Sequence, residues 1–293
     1  MPISDVQFVE TTLLRVGYEP GGETVVLLHG FPYDVRSYDE VAPRLAAAGV
    51  RVVAPYLRGY GPTRFLSDET MRSGQQAAIG RDVVDLLDAL GIERAIVAGY
   101  DWGGRAACVA AALFPERIDG LVTVGGYALQ DIAGSVEPAA PHDEKLAWYQ
   151  YYLHSERGRR GLERYRDELC RGLWRDWSPA WAEADEAFAA SVPSLHNPDF
   201  VDVAVHSYRH RFGLTDGDPR YDDLERRLAE LPVISVPTVS VDSGADGFGW
   251  FDSSEDESYF SGPFQRVVLP GAGHNPPQED PAAFSEAVLA LVK

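Results

Sequence analysis

Between Val97 and Ala107 the chain reads VAGYDWGGRAA. An apolar run leads in, a Gly-x-Asp-x-Gly pattern follows, and an alanine-rich helical segment leads out. A strand that passes straight into a helix through so sharp a turn has no room for side chains beside its centre, so glycine is needed there. The turn also lifts its central residue, Asp101, clear of both elements. A chain organised around such a unit is expected to pack strands and helices in layers.

The flanking sequence repeats the theme. TVVLLH (Thr24–His29), VRVVAP (Val50–Pro55), RAIVAG (Arg94–Gly99) and DGLVTVGG (Asp119–Gly126) read as short buried strands. Helical patterns separate them: Ser37–Ala48, stopped at Gly49; a segment with Ile79, Val83, Leu87 and Leu90 on one face, stopped at Gly91; and GGRAACVAAALF, closed by Pro115. This alternation predicts a mostly parallel central sheet with helices on both faces. From Lys145 to about Leu228 the pattern is helical and aromatic, and four of the six tryptophans (Trp148, Trp174, Trp177, Trp181) fall there. In SPAW, Ser178 reads as a helix N-cap with Pro179 in the first turn. Strands resume at PTVSVD (Pro237–Asp242) and QRVVLP (Gln265–Pro270), and a last helix starts at Asp280-Pro281. The expected organisation is an α/β core from residues 1–130 and 231–293, interrupted by an all-helical insert, 131–230.

Composition narrows the function. A net charge of −19 repels phosphate backbones and anionic lipid, so nucleic-acid and membrane-surface binding are not expected. Cys108 and Cys170 are too few for a disulfide framework, and a reduced cytoplasmic setting fits. The N-terminal stretch has no basic region ahead of an apolar core, and no window reaches about 18 apolar residues, so neither a signal peptide nor a membrane span is expected.

In parallel sheets, ligand chemistry gathers at the carboxyl ends of strands. The residues that follow the strands here are His29, Gly30, Phe31 and Pro32, then Asp101, then Asp242 and Asp246, then His274 at the end of GAGH. A nucleophile candidate, an acid and a histidine thus occur in that chain order.

These segments, HGFP (29–32), RGYG (58–61), GYDWGG (99–104) and GAGH (271–274), resemble the α/β-hydrolase family along nearly the whole chain, and within it the branch whose nucleophile is an aspartate. The aspartate has a chemical logic. A carboxylate is already an anion at neutral pH and can displace at a saturated carbon, whereas a serine must first lose a proton and suits an acyl carbon. The resemblance implies an ester on Asp101, hydrolysed by water that His274 activates. The resemblance favours Asp246 over Asp242 as the residue orienting that histidine. The same resemblance gives the oxyanion hole to the backbone N–H groups of Phe31 and Trp102.

Sub-families differ in how they stabilise the leaving group. Haloalkane dehalogenases pair a tryptophan after the nucleophile, here Trp102, with a second side-chain donor, and Phe31 offers none. Fluoroacetate dehalogenases carry arginine directly after the nucleophile, and only their second arginine has a match, at Arg105. Epoxide hydrolases use two tyrosine hydroxyls as donors. WYQYYL is similar to their first segment and points to Tyr149, with Trp148 and Tyr151 beside it, and SYRHRF points to Tyr208. The pocket is expected to take in His29, Pro32, Trp148, Tyr151 and Arg105. His206 and His210 stand four apart, as metal ligands can, but no third ligand follows. RGYG reads as a loop near the active-site rim, lacking the residues of a phosphate cradle. The expected enzyme needs no cofactor or metal and opens an epoxide to a vicinal diol. Its expected partner is a small apolar epoxide, aromatic or polycyclic, and a homodimer stays open. The alternatives are a haloacid or haloalkane dehalogenase, a natural-product tailoring relative, and a ligand-binding relative.

Overall fold

A computed structural model describes residues 7–11, 13–18, 23–249 and 252–293. Six strands form one parallel sheet: β3 (Glu23–Leu28), β4 (Val50–Val53), β6 (Ala95–Gly99), β7 (Ile118–Val124), β8 (Thr238–Ser243) and β9 (Phe264–Leu269), in the order β4-β3-β6-β7-β8-β9. All six were legible as runs rich in apolar residues; strands covered on both faces are apolar almost throughout, and β6 and β8 are buried along their entire length, whereas the edge strand β9 is largely exposed. A second, three-stranded antiparallel sheet joins β1 (Gln7–Glu10), β2 (Leu14–Tyr18) and the two-residue β5 (Arg64–Phe65). It has no counterpart among the strands expected from sequence, since four-residue and two-residue strands carry little periodicity.

Helix α1 (Val41–Ala47) ends at Gly49 with φ +86°, and α2 (Gln76–Ala89) ends at Gly91 with φ +64°. The expected helix from Ser37 is instead a 3₁₀ turn, Val35–Tyr38, separated from α1. Helix α3 (Asp101–Leu113) follows the elbow. Between β7 and β8 the chain is helical: α4 (Pro141–Leu146), α5 (Trp148–His154), α6 (Glu156–Arg164), α7 (Arg166–Trp177), α8 (Ala184–Leu195), α9 (Phe200–His210) and α10 (Asp222–Leu228). Ser178 is not an N-cap: it closes α7, and α8 begins only at Ala184. Helices α11 (Pro276–Glu279) and α12 (Pro281–Leu289) complete the chain, with Asp280 capping α12 through Ala283 N–H. No helix among the described residues is long and apolar enough to cross a membrane.

The order of the strands decides where the site lies. From β3 the chain moves outward to β4, then crosses back to place β6 on the other side of β3. The carboxyl ends of β3 and β6 therefore lie side by side where the winding reverses, which is where open α/β sheets form a crevice. The register pairs Leu28 with Gly99, so His29-Gly30-Phe31 and Tyr100-Asp101 leave the sheet together.

Candidate active site

The elbow is as tight as its glycines imply. A Cβ on Gly103 would stand 1.9 Å from the Leu28 carbonyl oxygen, and one on Gly99 would stand 2.5 Å from the Gly103 backbone. Asp101 itself has φ +51°, the left-handed region that non-glycine residues rarely occupy. This strain aims its carboxylate at the adjoining strand end. Oδ1 accepts the backbone N–H groups of Phe31 and Trp102, both at 2.6 Å. Oδ2 lies 3.7 Å from His274 Nε2.

His274 is buried under Trp177 and Phe248, with ring centroids 4.6 and 6.2 Å away. Its Nδ1 meets Asp246 Oδ2 at 2.9 Å. The two acids after β8 are thereby told apart, for Asp242 is held by Arg266 at 2.6 Å and by Ser253. Burial alone would strip the proton from His274, but the facing carboxylates Asp246 and Asp101 outweigh it and push the imidazole up to about 10. Burial likewise opposes the charge on Asp101. The His274 imidazolium, the positive Arg105 and the Phe31 N–H overcome that penalty and hold its pKa below the usual carboxylate range.

Ser178 was the main omission from the sequence reading. Its hydroxyl accepts the His274 N–H at 3.1 Å and donates to Glu279 Oε1 at 2.7 Å. Glu279 in turn accepts the N–H groups of Gly273 and Asn275. The end of α7, α11 and the histidine loop are thus tied together, a contact across about a hundred residues that no local pattern reveals.

Tyr149 on α5 and Tyr208 on α9 are buried, with ring centroids 5.3 Å apart, and both pack on Phe31. Burial, with the nearby charge of Asp101, raises both phenols above their ordinary value, so both stay protonated. Gln150 Nε2 donates to the Tyr149 hydroxyl at 3.1 Å. The Tyr208 hydroxyl is close enough to influence Tyr149 but has no well-formed hydrogen bond to any described residue.

A cavity of about 630 Å³ opens beside these groups, lined by Asp101, Arg105, Tyr149, Gln150, Tyr151, Arg211 and Phe248 among others. Of the expected pocket residues, Tyr151 and Arg105 line it. Three do not fit that expectation. Trp148 is 45% exposed, because its place on α5 turns it outward past Tyr149 and Tyr152. His29 is a buried strut between the Gly30 carbonyl and the Leu57 N–H, kept neutral by burial that lowers it to about 4. The Pro32 carbonyl accepts from Trp174 Nε1. RGYG is interior rather than rim: Arg58 is buried in a bidentate pair with Asp82 at 2.6 Å, and Tyr60 packs on Trp102. His206 is used by the Gly74 N–H and the Asp216 carbonyl. Arg211 carries no local sequence signal, being one more cation in a charged segment.

The family model for the alpha/beta hydrolase fold matches residues 23–193. The chain belongs to the α/β hydrolase family. Within that family it is epoxide-hydrolase-like. It is 29% identical over 313 residues to epoxide hydrolase A of Mycobacterium tuberculosis, covering 98% of this chain and 95% of that one. It is 36% identical over 151 residues to epoxide hydrolase B of the same organism, covering 47% of this chain and 41% of that one. A Klebsiella pneumoniae crystal structure, presented as that of a candidate epoxide hydrolase, superposes with a TM-score of 0.97 at 41% identity, covering 99% and 98% of the two chains. This α/β hydrolase therefore shares its fold with that protein along nearly its whole length.

Proposed function

We propose that this α/β hydrolase opens epoxides to vicinal diols through an ester on Asp101, with residues 131–230 acting as a cap over a core of 1–130 and 231–293. The observation that carries the reading is the pair of buried, protonated tyrosines beside a carboxylate whose Oδ1 is already held by two N–H groups.

Oδ2 is the oxygen available to attack. As it bonds to an oxirane carbon, the C–O bond of the ring breaks, and the oxygen takes a proton from Tyr149 or Tyr208. Esterification removes the negative charge of Asp101, which is one of the two charges holding the proton on His274. The imidazolium then yields that proton through solvent to the tyrosinate. The neutral imidazole, fixed by Asp246, accepts a proton from a water that attacks Cγ of the ester. The Phe31 and Trp102 N–H groups, already on Oδ1, hold the oxyanion; as it collapses the Cγ–Oδ2 bond breaks, the imidazolium gives its proton to Oδ2 so that the diol leaves, and the remaining proton of the attacking water passes from the new carboxyl back to the imidazole, restoring the Asp101 carboxylate.

One specific observation favours a second reading. The buried Trp102 Nε1 has no hydrogen-bond partner among the described residues and is a ready donor for a departing halide.

His274→Gln incubated with styrene oxide tests both readings. A mass increase of one epoxide on the peptide containing Asp101, absent in Asp101→Asn, supports the scheme. Adduct formation from a haloalkane or haloacid alone transfers the reading to dehalogenation. No adduct from any of them defeats covalent catalysis at Asp101.

A further inference from the structure

Arg105 and Arg211 share the cavity with Asp101, and neither has a carboxylate partner within ion-pair distance among the described residues. Arg105 stands one helical turn beyond Asp101 on α3, and its Nε and Nη1 are buried without a hydrogen-bond partner. Arg211, just past α9, is 8% exposed. Its Nε is also buried without a partner, and its remaining nitrogens make only long contacts, 3.5 Å to Gln150 Oε1 and 3.3 Å to Ser207 Oγ. The guanidinium lies 4.3 Å from the centre of the Tyr208 ring. Two buried cations facing each other are costly, and the charge of each opposes the other. Burial, with Arg211 close by, lowers Arg105 to about 9. The chain carries a net charge of −19, so a positive interior is not a general property of its surface.

The acidic residues around the same cavity do not neutralise the pair. Asp131 is spent on the Gly134 N–H, Glu144 on the Ala139 N–H and the Tyr151 hydroxyl, and Glu137 is exposed. Among the leading influences on Arg105, Asp101 supplies the stabilising carboxylate charge. On the proposed mechanism that charge disappears when the ester forms, which leaves the cations less compensated still.

Building on the epoxide reading, the geometry points to a substrate that carries a carboxylate, bound by Arg105 and Arg211, on an otherwise apolar frame. Guanidinium groups match a planar carboxylate with paired N–H donors. The cavity wall beside them is apolar at Val124, Leu129, Phe212 and Phe248, which suits the frame. The clamp acts in binding and orientation, and the anion replaces the counter-charge that the protein itself withholds.

Turnover of an aryl epoxide bearing a carboxylate is compared with that of its methyl ester. Wild type should favour the acid in kcat/KM by about tenfold or more, the range for hydrogen bonds to charged groups. That preference should shrink by a similar factor in Arg211→Gln and Arg105→Gln, and Arg211→Lys should recover part of it. Calorimetry with 4-phenylbutyrate and its amide, neither of which can react, reads the clamp without catalysis. Tighter binding of the acid by wild type, weakened in Arg211→Gln, supports the clamp even if no epoxide is turned over, in which case the epoxide reading alone fails. Epoxide turnover with no preference for the acid, or equal binding of acid and amide, overturns the clamp and leaves the epoxide reading standing.

Discussion

Oδ2 of Asp101 lies 3.7 Å from Nε2 of His274, close enough that each charge sets the protonation of the other. The Asp101 carboxylate stays ionised because the imidazolium faces it, and the imidazolium keeps its proton because two ionised carboxylates, Asp246 and Asp101, lie beside it. Alkylation of one partner changes the other from an acid into a base, so a single event orders the two halves of the proposed reaction.

This coupling predicts separate pH profiles for the two halves. Ester formation needs Asp101 ionised and the tyrosines protonated. With Asp101 lowered and both phenols raised, its rate should be flat between about pH 5 and 9. Ester hydrolysis needs neutral His274 and should rise with pH on the acid side. Rapid-quench experiments at pH 5 and 8 should show the ester accumulating at pH 5. An alkylation rate that climbs in step with hydrolysis would mean the histidine acts before the ester forms.

The same group shapes stability. His274 is raised from 6.5 to about 10 in the fold. Below pH 6.5 both folded and unfolded chains hold the proton, and the full stabilisation is present. Between 6.5 and 10 only the folded chain holds it, so the contribution declines, and above 10 it is gone. The Tm of wild type should therefore fall more steeply from pH 7 to 10 than that of His274→Gln. Parallel curves would show that the imidazolium contributes nothing to the fold.

Tyr208 offers a cleaner division between stability and rate. Its hydroxyl is buried without a well-formed hydrogen bond, so Tyr208→Phe removes no bond that the resting fold relies on. The Tm should change little, while single-turnover ester formation should slow about a hundredfold. Tyr149→Phe should slow the same step and also cost some stability, since Gln150 Nε2 loses its acceptor. A Tyr208→Phe variant that alkylates at the wild-type rate would remove this tyrosine from the mechanism.

Much of this site could be read from the chain because its parts sit at strand ends, where a local apolar run announces the element and the next few residues supply the chemistry. Asp101 and His274 were visible in that way, and Tyr149 and Tyr208 followed from resemblance. Asp246 was favoured over Asp242 only through the resemblance, because the physical reason for the choice, Arg266 taking Asp242 across the neighbouring strand, has no local sequence signal. Ser178 read as a helix start because Ser-Pro is a strong local signal, yet tertiary contact with the His274 loop decided its role. Arg211 was hidden for a similar reason: a cation in a charged helix looks solvated until the neighbouring elements bury it.

Asp34 provides a test of how the insert is fastened to the sheet. This fully buried carboxylate, shortly after β3, accepts the hydroxyls of Ser191 and Ser194 on α8 at 2.7 and 2.5 Å, and also binds Arg36. Asp34→Ala leaves both serines and the arginine without their acceptor, and should cost about 3 kcal/mol in urea denaturation. The double change Ser191→Ala and Ser194→Ala leaves Asp34 with its Arg36 contacts alone and should also destabilise, by a smaller amount. A loss below about 0.5 kcal/mol in both variants would show that α8 is held by its apolar face alone.

Ser178 carries the last expectation, and it concerns only the second half of the reaction. Its hydroxyl joins the His274 N–H to Glu279, and Glu279 also accepts the N–H groups on either side of the histidine. None of these bonds touches Asp101 or the tyrosines. In Ser178→Ala the His274 N–H loses its acceptor and the imidazole is less firmly placed against the ester. Hydrolysis should slow by about tenfold, while alkylation, which needs the imidazolium charge near Asp101 but not the finer aim of its ring at a water, should keep its rate. The steady-state fraction of ester-bearing enzyme, read by intact mass, should rise in proportion. Equal slowing of both steps would mean that the serine supports the fold of the whole site rather than the aim of the histidine.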